Sequence, residues 1–109
     1  MPQNDYMTLL GLAMRAGKIA YGEESVREAF FQSHVALVIL ASDASARTAG
    51  NFQRLAAKNG VRIMTIPENK QDLGHAIGTG LCAVAAVTNK GFAESFSAKA
   101  EKHIGGVRI

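Results

Sequence analysis

One cysteine, three histidines and no tryptophan stand among the 109 residues, and the first two scarcities each close off a class of function. Cys82 alone makes no internal disulfide, so stability must come from packing, and a reducing cytoplasm is the natural setting. His34, His75 and His103 lie far from one another and from Cys82. Neither C-x-x-C nor H-x-x-x-H spacing occurs, so no metal site is expected. No serine occupies a Gly-x-Ser-x-Gly elbow, and Cys82 opens an apolar run, where a thiol usually acts as a small hydrophobe. With no catalytic constellation in sight, the expectation is a protein that is not an enzyme and carries no cofactor.

Long apolar runs are missing as well. Val35–Ala41 and Leu81–Val87 are the longest, far short of the ~20 residues that span a bilayer. The opening Met1-Pro2-Gln3-Asn4-Asp5 lacks the basic region of a signal peptide. A soluble, cytoplasmic protein without a membrane partner is expected. Nucleotide motifs fail too. Gly17-Lys18 has neither the upstream glycine nor the following Ser or Thr of a Walker motif. Gly78-Thr79-Gly80 has GxG spacing but follows a helix and opens a strand, the reverse of a dinucleotide fingerprint. Both glycines read as turn residues of positive φ, in a turn whose backbone N–H groups a nucleic acid can use.

What is present builds a core. Hydrophobic residues make up 48% and charged residues 19%, a balance unlike that of disordered chains. The length predicts one domain over residues 1–109. A formal charge of +3 leans mildly toward polyanions.

Periodicity predicts the elements. Asn4 or Asp5 caps a helix to about Arg15, with Met7, Leu10 and Met14 on one face and Gly17 at its end. Ile19-Ala20-Tyr21 is a short extended piece, and Gly22 opens a second helix with Val26, Ala29 and Phe30 buried, ended by Gln32-Ser33-His34. Val35–Ala41 reads as an inner strand covered on both faces. Ser42-Asp43 is predicted to cap a third helix through Lys58, closed by Asn59-Gly60. Val61–Ile66 is a strand, ended by Pro67. Asn69 with Asp72 resembles a capping box for a short fourth helix. Leu81–Thr88 is a third buried strand. Asn89 caps a last helix from Lys90 to about Lys102, and Gly105-Gly106 leaves a loose tail. This alternation predicts an α/β fold: a three-layer α-β-α sandwich with a mixed sheet of about four strands.

Arg47, Arg54 and Lys58, spaced at seven and four, share a face of the third helix, with Arg62 just beyond. Such a stripe either contacts phosphates or is the solvated side of an amphipathic helix, and spacing does not choose between them.

Residues 15–22, Arg-Ala-Gly-Lys-Ile-Ala-Tyr-Gly, carry a pattern of Gly-Lys-Ile, two further residues, then a glycine opening a helix. That pattern resembles the kink-turn RNA-binding ribosomal-protein family. The likeness continues through Ala36–Ala44, where a strand ends in Ala41-Ser42-Asp43, and resumes at Ile66-Pro67 and Leu73–Gly78. It covers nearly the whole chain. Leu9–Lys18, Gly22-Glu23-Glu24 and Thr88–Ala93 look most like the bacterial YlxQ-like branch.

The resemblance implies an α-β-α sandwich and a mode of RNA binding. In the family, the loop and helix start after Gly22 enter the major-groove side of a kinked internal loop. Polar side chains there read sheared G·A pairs, and helix N-terminal amides meet phosphate. A second, apolar loop, matching Thr79 to Ala83 here, packs against a flipped-out nucleotide. Lys18 and Gly22 match the family, and Leu81, Cys82 and Ala83 fall in the apolar loop. Position 24 is Glu where the family usually has Asn or Lys, position 25 is Ser where archaeal members have Glu, and position 28 is Glu where most carry Lys.

The candidate RNA-binding residues are therefore Lys18, Gly22, Glu24, Ser25, Arg27, Glu28, Ser42, Asp43, Arg47, Arg54, Thr79, Leu81, Cys82 and Ala83. The expected partner is structured RNA, ribosomal RNA being one candidate, with ribosomal or translation-factor proteins as further partners. The alternative is a protein–protein adaptor of the translation or RNA-processing machinery, with Glu23, Glu24 and Glu28 meeting a basic partner.

Overall fold

Helices and strands alternate along residues 5–104, the part of the chain that the computed structural model describes, the side chains of residues 103 and 104 apart. Asn4 and Gly105-Gly106, assigned above to a cap and a tail, lie outside the described residues. The order is α1 (Asp5–Arg15), β1 (Ile19–Tyr21), α2 (Glu23–Phe31), β2 (Leu37–Leu40), α3 (Ala46–Lys58), β3 (Arg62–Thr65), α4 (Lys70–Ile77), β4 (Val84–Val87) and α5 (Lys90–Ile104).

The four strands form one sheet in the order β1-β4-β2-β3. β4 is antiparallel to both neighbours and β2–β3 is parallel, so the sheet is mixed as expected. β2 and β4 are buried at every residue, which is why both read as unbroken apolar runs rather than alternating ones. On one face, Leu37, Ile39, Met64, Ala85 and Val87 pack with α1, α4 and α5. Tyr6 of α1 meets Phe96 of α5 edge-on, with ring centroids 5.5 Å apart. On the other face, Val38, Leu40, Val84 and Ala86 pack with Val26 and Phe30 of α2 and Phe52 and Ala56 of α3. α2 and α3 share that face because both cross over between parallel strands in the same direction across the sheet. The result is the three-layer sandwich.

Local chemistry sets the helix ends. α1 stops where Gly17 takes φ +75°, with Lys18 N–H donating to the Ala13 carbonyl and Gly17 N–H to that of Met14. Asn69 caps α4, accepting from Asp72 N–H, and Asn89 caps α5, accepting from Phe92 N–H.

Three expectations are corrected. The cap of α3 is Ser45, whose side chain accepts from Thr48 N–H at 3.1 Å, and not Ser42-Asp43. A turn from Ala41 to Ala44 delays the helix start, and Asp43 instead accepts from Lys70 N–H at the first turn of α4. β4 begins at Val84, not Leu81: Cys82 N–H turns away to the Lys70 carbonyl, and Leu81 is 73% exposed. Gly78 has the expected positive φ, but Gly80 does not. The tight position in that turn is Gly74, where a Cβ would stand 1.5 Å from the Gly80 carbonyl oxygen.

Candidate nucleic-acid interface

Three segments meet at one end of the sheet. The register pairs Tyr21 with Ala85, Val84 with Leu40, and Leu40 with Thr65. The C-terminal ends of β1, β2 and β3 therefore lie beside the start of β4. Gly22 N–H donates to the Val84 carbonyl at 3.0 Å, and Ala41 N–H to that of Ala83 at 2.9 Å. Ser42 N–H donates to the Glu68 carbonyl at 2.8 Å. Backbone bonds thus stitch the start of α2, the loop before α3 and the loop before β4 into one surface.

α2 begins without help. Gly22 occupies its cap position at φ 87° and ψ 155°, a region that only glycine enters cheaply, and among the described residues no side chain accepts from the first-turn amides. α3, α4 and α5 each have such an acceptor in Ser45, Asn69 and Asn89. The first intrahelical bond of α2 runs from Val26 N–H to the Gly22 carbonyl, so the amides of Glu23, Glu24 and Ser25 face outward at the positive end of the helix dipole.

The three carboxylates of α2 are not equivalent. Glu23 turns to its own protein: one oxygen lies 3.3 Å from Arg27 Nη2 and the other accepts from Thr48 Oγ1 at 2.8 Å. Glu28, one turn along, accepts from Gln32 Nε2 at 3.3 Å. Glu24 is exposed and has no hydrogen bond or ion pair among the described residues. Only one of the three carboxylates therefore stands unengaged at the helix start.

The loop before β4 is pinned on both sides of its exposed residue. Thr79 N–H donates to the Gly74 carbonyl at 2.8 Å and Cys82 N–H to that of Lys70 at 3.0 Å, leaving Leu81 projecting between them. Cys82 is 2% exposed, its Sγ 3.3 Å from the Val84 carbonyl oxygen. Burial pushes the thiol above its ordinary pKa, partly offset by the backbones of Gly22 and Val84. Cys82 is thus an internal plug between two loops, and Leu81, with Tyr21 at 39% exposure, supplies the apolar surface.

Residues 4–97 match the profile of the Ribosomal protein L7Ae/L30e/S12e/Gadd45 family. The chain belongs to this family. RNA-binding protein YlxQ of Bacillus subtilis (strain 168) is 36% identical over 95 residues, which cover 82% of this chain and 88% of that protein. Among solved structures, a protein with unknown function from Bacillus halodurans C superimposes with a TM-score of 0.86 at 33% identity, over 91% of this chain and 99% of its own. The Giardia lamblia 15.5kD RNA binding protein gives a TM-score of 0.75 at 19% identity, over 94% and 92%, a likeness of fold alone.

The L7Ae-family fold brings most, but not all, of the sequence-predicted residues together. Gly22, Glu24, Ser25, Ser42, Asp43, Thr79, Leu81, Cys82 and Ala83 lie at the stitched sheet end, with Arg47 exposed in the first turn of α3. Arg27 and Glu28 sit one turn into α2. Lys18 precedes β1, with its carbonyl accepting from Thr88 N–H, about 13 Å of strand away from Gly22. Arg54 lies about 10 Å further along α3 than Arg47. Thr48 and Ser45 were missed, Ser45 being one of three cap-competent residues in a row of four; Tyr21 and Gly74 carried no local signal that singled them out.

Proposed function

We propose that the protein binds structured RNA at this sheet end, without catalysis, and that its ligand is a kinked internal loop of the kind read through sheared G·A pairs. The observation that carries this reading is the uncapped start of α2 beside a pinned loop presenting Leu81. Three outward amides suit a phosphate, and an exposed leucine on a rigid loop suits an unstacked base. The Bacillus relative is itself an RNA-binding protein, which supports RNA over the adaptor reading. Ser25 and Glu24 face the site as hydrogen-bonding groups; a carboxylate accepts from guanine N1–H and N2–H, so Glu24 shifts the base preference rather than ending it. With Glu23 held by Arg27 and Thr48, the anionic cost falls mainly on Glu24 and Glu28.

Electrophoretic mobility shift with two RNAs tests this: a standard kink-turn, and the same stem with its G·A pairs replaced by Watson–Crick pairs. Tight binding to the first alone is expected. Glu28→Lys should strengthen binding and steepen its salt dependence by about 0.9 in the logarithmic slope, as one more neutralised phosphate requires. Failure on both RNAs, with Glu28→Lys silent, retires the kinked-loop ligand.

A further inference from the structure

An open groove of about 630 Å³ runs between the C-terminal halves of α2 and α3, away from the stitched sheet end. Phe30 packs into the core at its base, whereas Phe31 on its rim is 90% exposed. Arg27, Arg54 and Lys58 line it with Asn51, and among the described residues no acidic one lines it. Arg27 already pairs with Glu23, but Arg54 and Lys58 have no acidic partner among the described residues. Arg47, Asn51, Arg54 and Lys58 fall on one face of α3, a track of roughly 16 Å that starts at the sheet end and descends along the groove.

A phenylalanine this exposed gains nothing from its own fold. A free aromatic face beside unpaired cations is the arrangement that holds a single-stranded nucleic acid, bases stacking on the ring and phosphates meeting the charges. We propose that this groove takes a short single-stranded RNA segment continuing from the structured RNA at the sheet end, with one base on Phe31 and phosphates at Arg54 and Lys58. The continuity of the cationic track with the sheet end favours RNA over an acidic peptide. The choice of RNA rests on the function proposed above; the groove itself does not need a kinked loop.

Fluorescence anisotropy with labelled decauridylate tests the groove alone. The wild-type chain should bind it at low salt, and Phe31→Ala should weaken binding about 5- to 140-fold. Phe31 is exposed, so its removal should leave the melting temperature unchanged. The Arg54→Glu, Lys58→Glu pair should lower the salt slope by about 1.4, two single-strand phosphate contacts. A stem carrying single-stranded tails should bind the wild type more tightly than the same stem without tails, and this gain should vanish in Phe31→Ala. Decauridylate that fails to bind, or binds Phe31→Ala equally well, overturns the proposal. Phe31-dependent binding of polyglutamate in place of decauridylate overturns it too and gives the groove to an acidic peptide. Loss of kink-turn binding with decauridylate binding retained would retire the sheet-end ligand and leave the groove standing.

Discussion

The same chemical change, glycine to alanine inside a helix, should have opposite signs at two places in this protein. In a helix interior, alanine is favoured over glycine by about 1 kcal/mol because it has less backbone freedom to lose. Gly50 of α3 meets that condition: an added Cβ would lie 3.4 Å from Arg54 Nη1, the far end of a flexible side chain. Gly50→Ala should therefore stabilise by about 0.5–1 kcal/mol. At Gly74 of α4 the added Cβ would stand 1.5 Å from the Gly80 carbonyl oxygen and 2.7 Å from its carbon. The turn would have to retreat by about 1.8 Å to reach the ~3.3 Å of an ordinary carbon–oxygen contact. That movement strains the bonds from Thr79 N–H to Gly74 and from Cys82 N–H to Lys70. Overpacking costs about 1–3 kcal/mol and each weakened bond about 0.5–1.5 kcal/mol. Offset by the helix gain of about 1 kcal/mol, the net loss at Gly74 is about 1–5 kcal/mol. At ~4 °C per kcal/mol for a chain of this length, the melting temperature should fall by about 4–20 °C. Urea unfolding followed by circular dichroism measures both variants, and on the function proposed above kink-turn affinity should drop for Gly74→Ala because the loop carrying Leu81 moves. A Gly74→Ala protein as stable as the wild type, or a Gly50→Ala protein that loses as much, would refute the reasoning.

Three further outcomes are expected. Thr48→Val removes the hydroxyl that holds Glu23 and should cost about 1 kcal/mol in urea unfolding, the carboxylate being partly exposed. Tyr6→Phe takes away a hydroxyl that lies 2.9 Å from both carboxylate oxygens of Glu68; a loss of about 1–2 kcal/mol by the same assay is expected, and no loss would mean that packing alone holds α1. Cys82 should make stability fall with rising pH. Below about pH 8.5 the thiol is protonated folded or unfolded; above it the unfolded thiol ionises first, because burial raises the folded pKa. Denaturation midpoints at pH 7.5 and 9.5 should therefore drop more for the wild type than for Cys82→Ala, and equal drops would count against a buried neutral thiol.

Much of this was legible from residue order because it is local. The apolar stripe Val26, Ala29 and Phe30, the stop at Gly17 and the caps at Asn69 and Asn89 each depend on neighbours within a turn or so, and each stands in the structure as read. The unbroken runs around β2 and β4 announced strands covered on both faces, and with the alternation of helices they led to the sandwich. Where a local signal was degenerate, reading went astray. Ser42, Asp43 and Ser45 are all competent caps by type, and only the turn at Ala41–Ala44 selects Ser45. Leu81-Cys82-Ala83 is as apolar as the strand it precedes, so periodicity does not mark where pairing begins.

Sequence by itself thus determined which segments are helices and strands, which faces they bury and which family the motifs belong to, since those properties repeat at short range. Only the tertiary structure decided which ends meet. Glu23 finds Thr48 across 25 residues, Asp43 finds the start of α4 rather than α3, and Lys18 stays at the far end of β1 from Gly22. Such pairings arise from strand order and crossover direction, where contacts are fixed by packing the whole sheet between its two helical layers. No spacing along the chain encodes them.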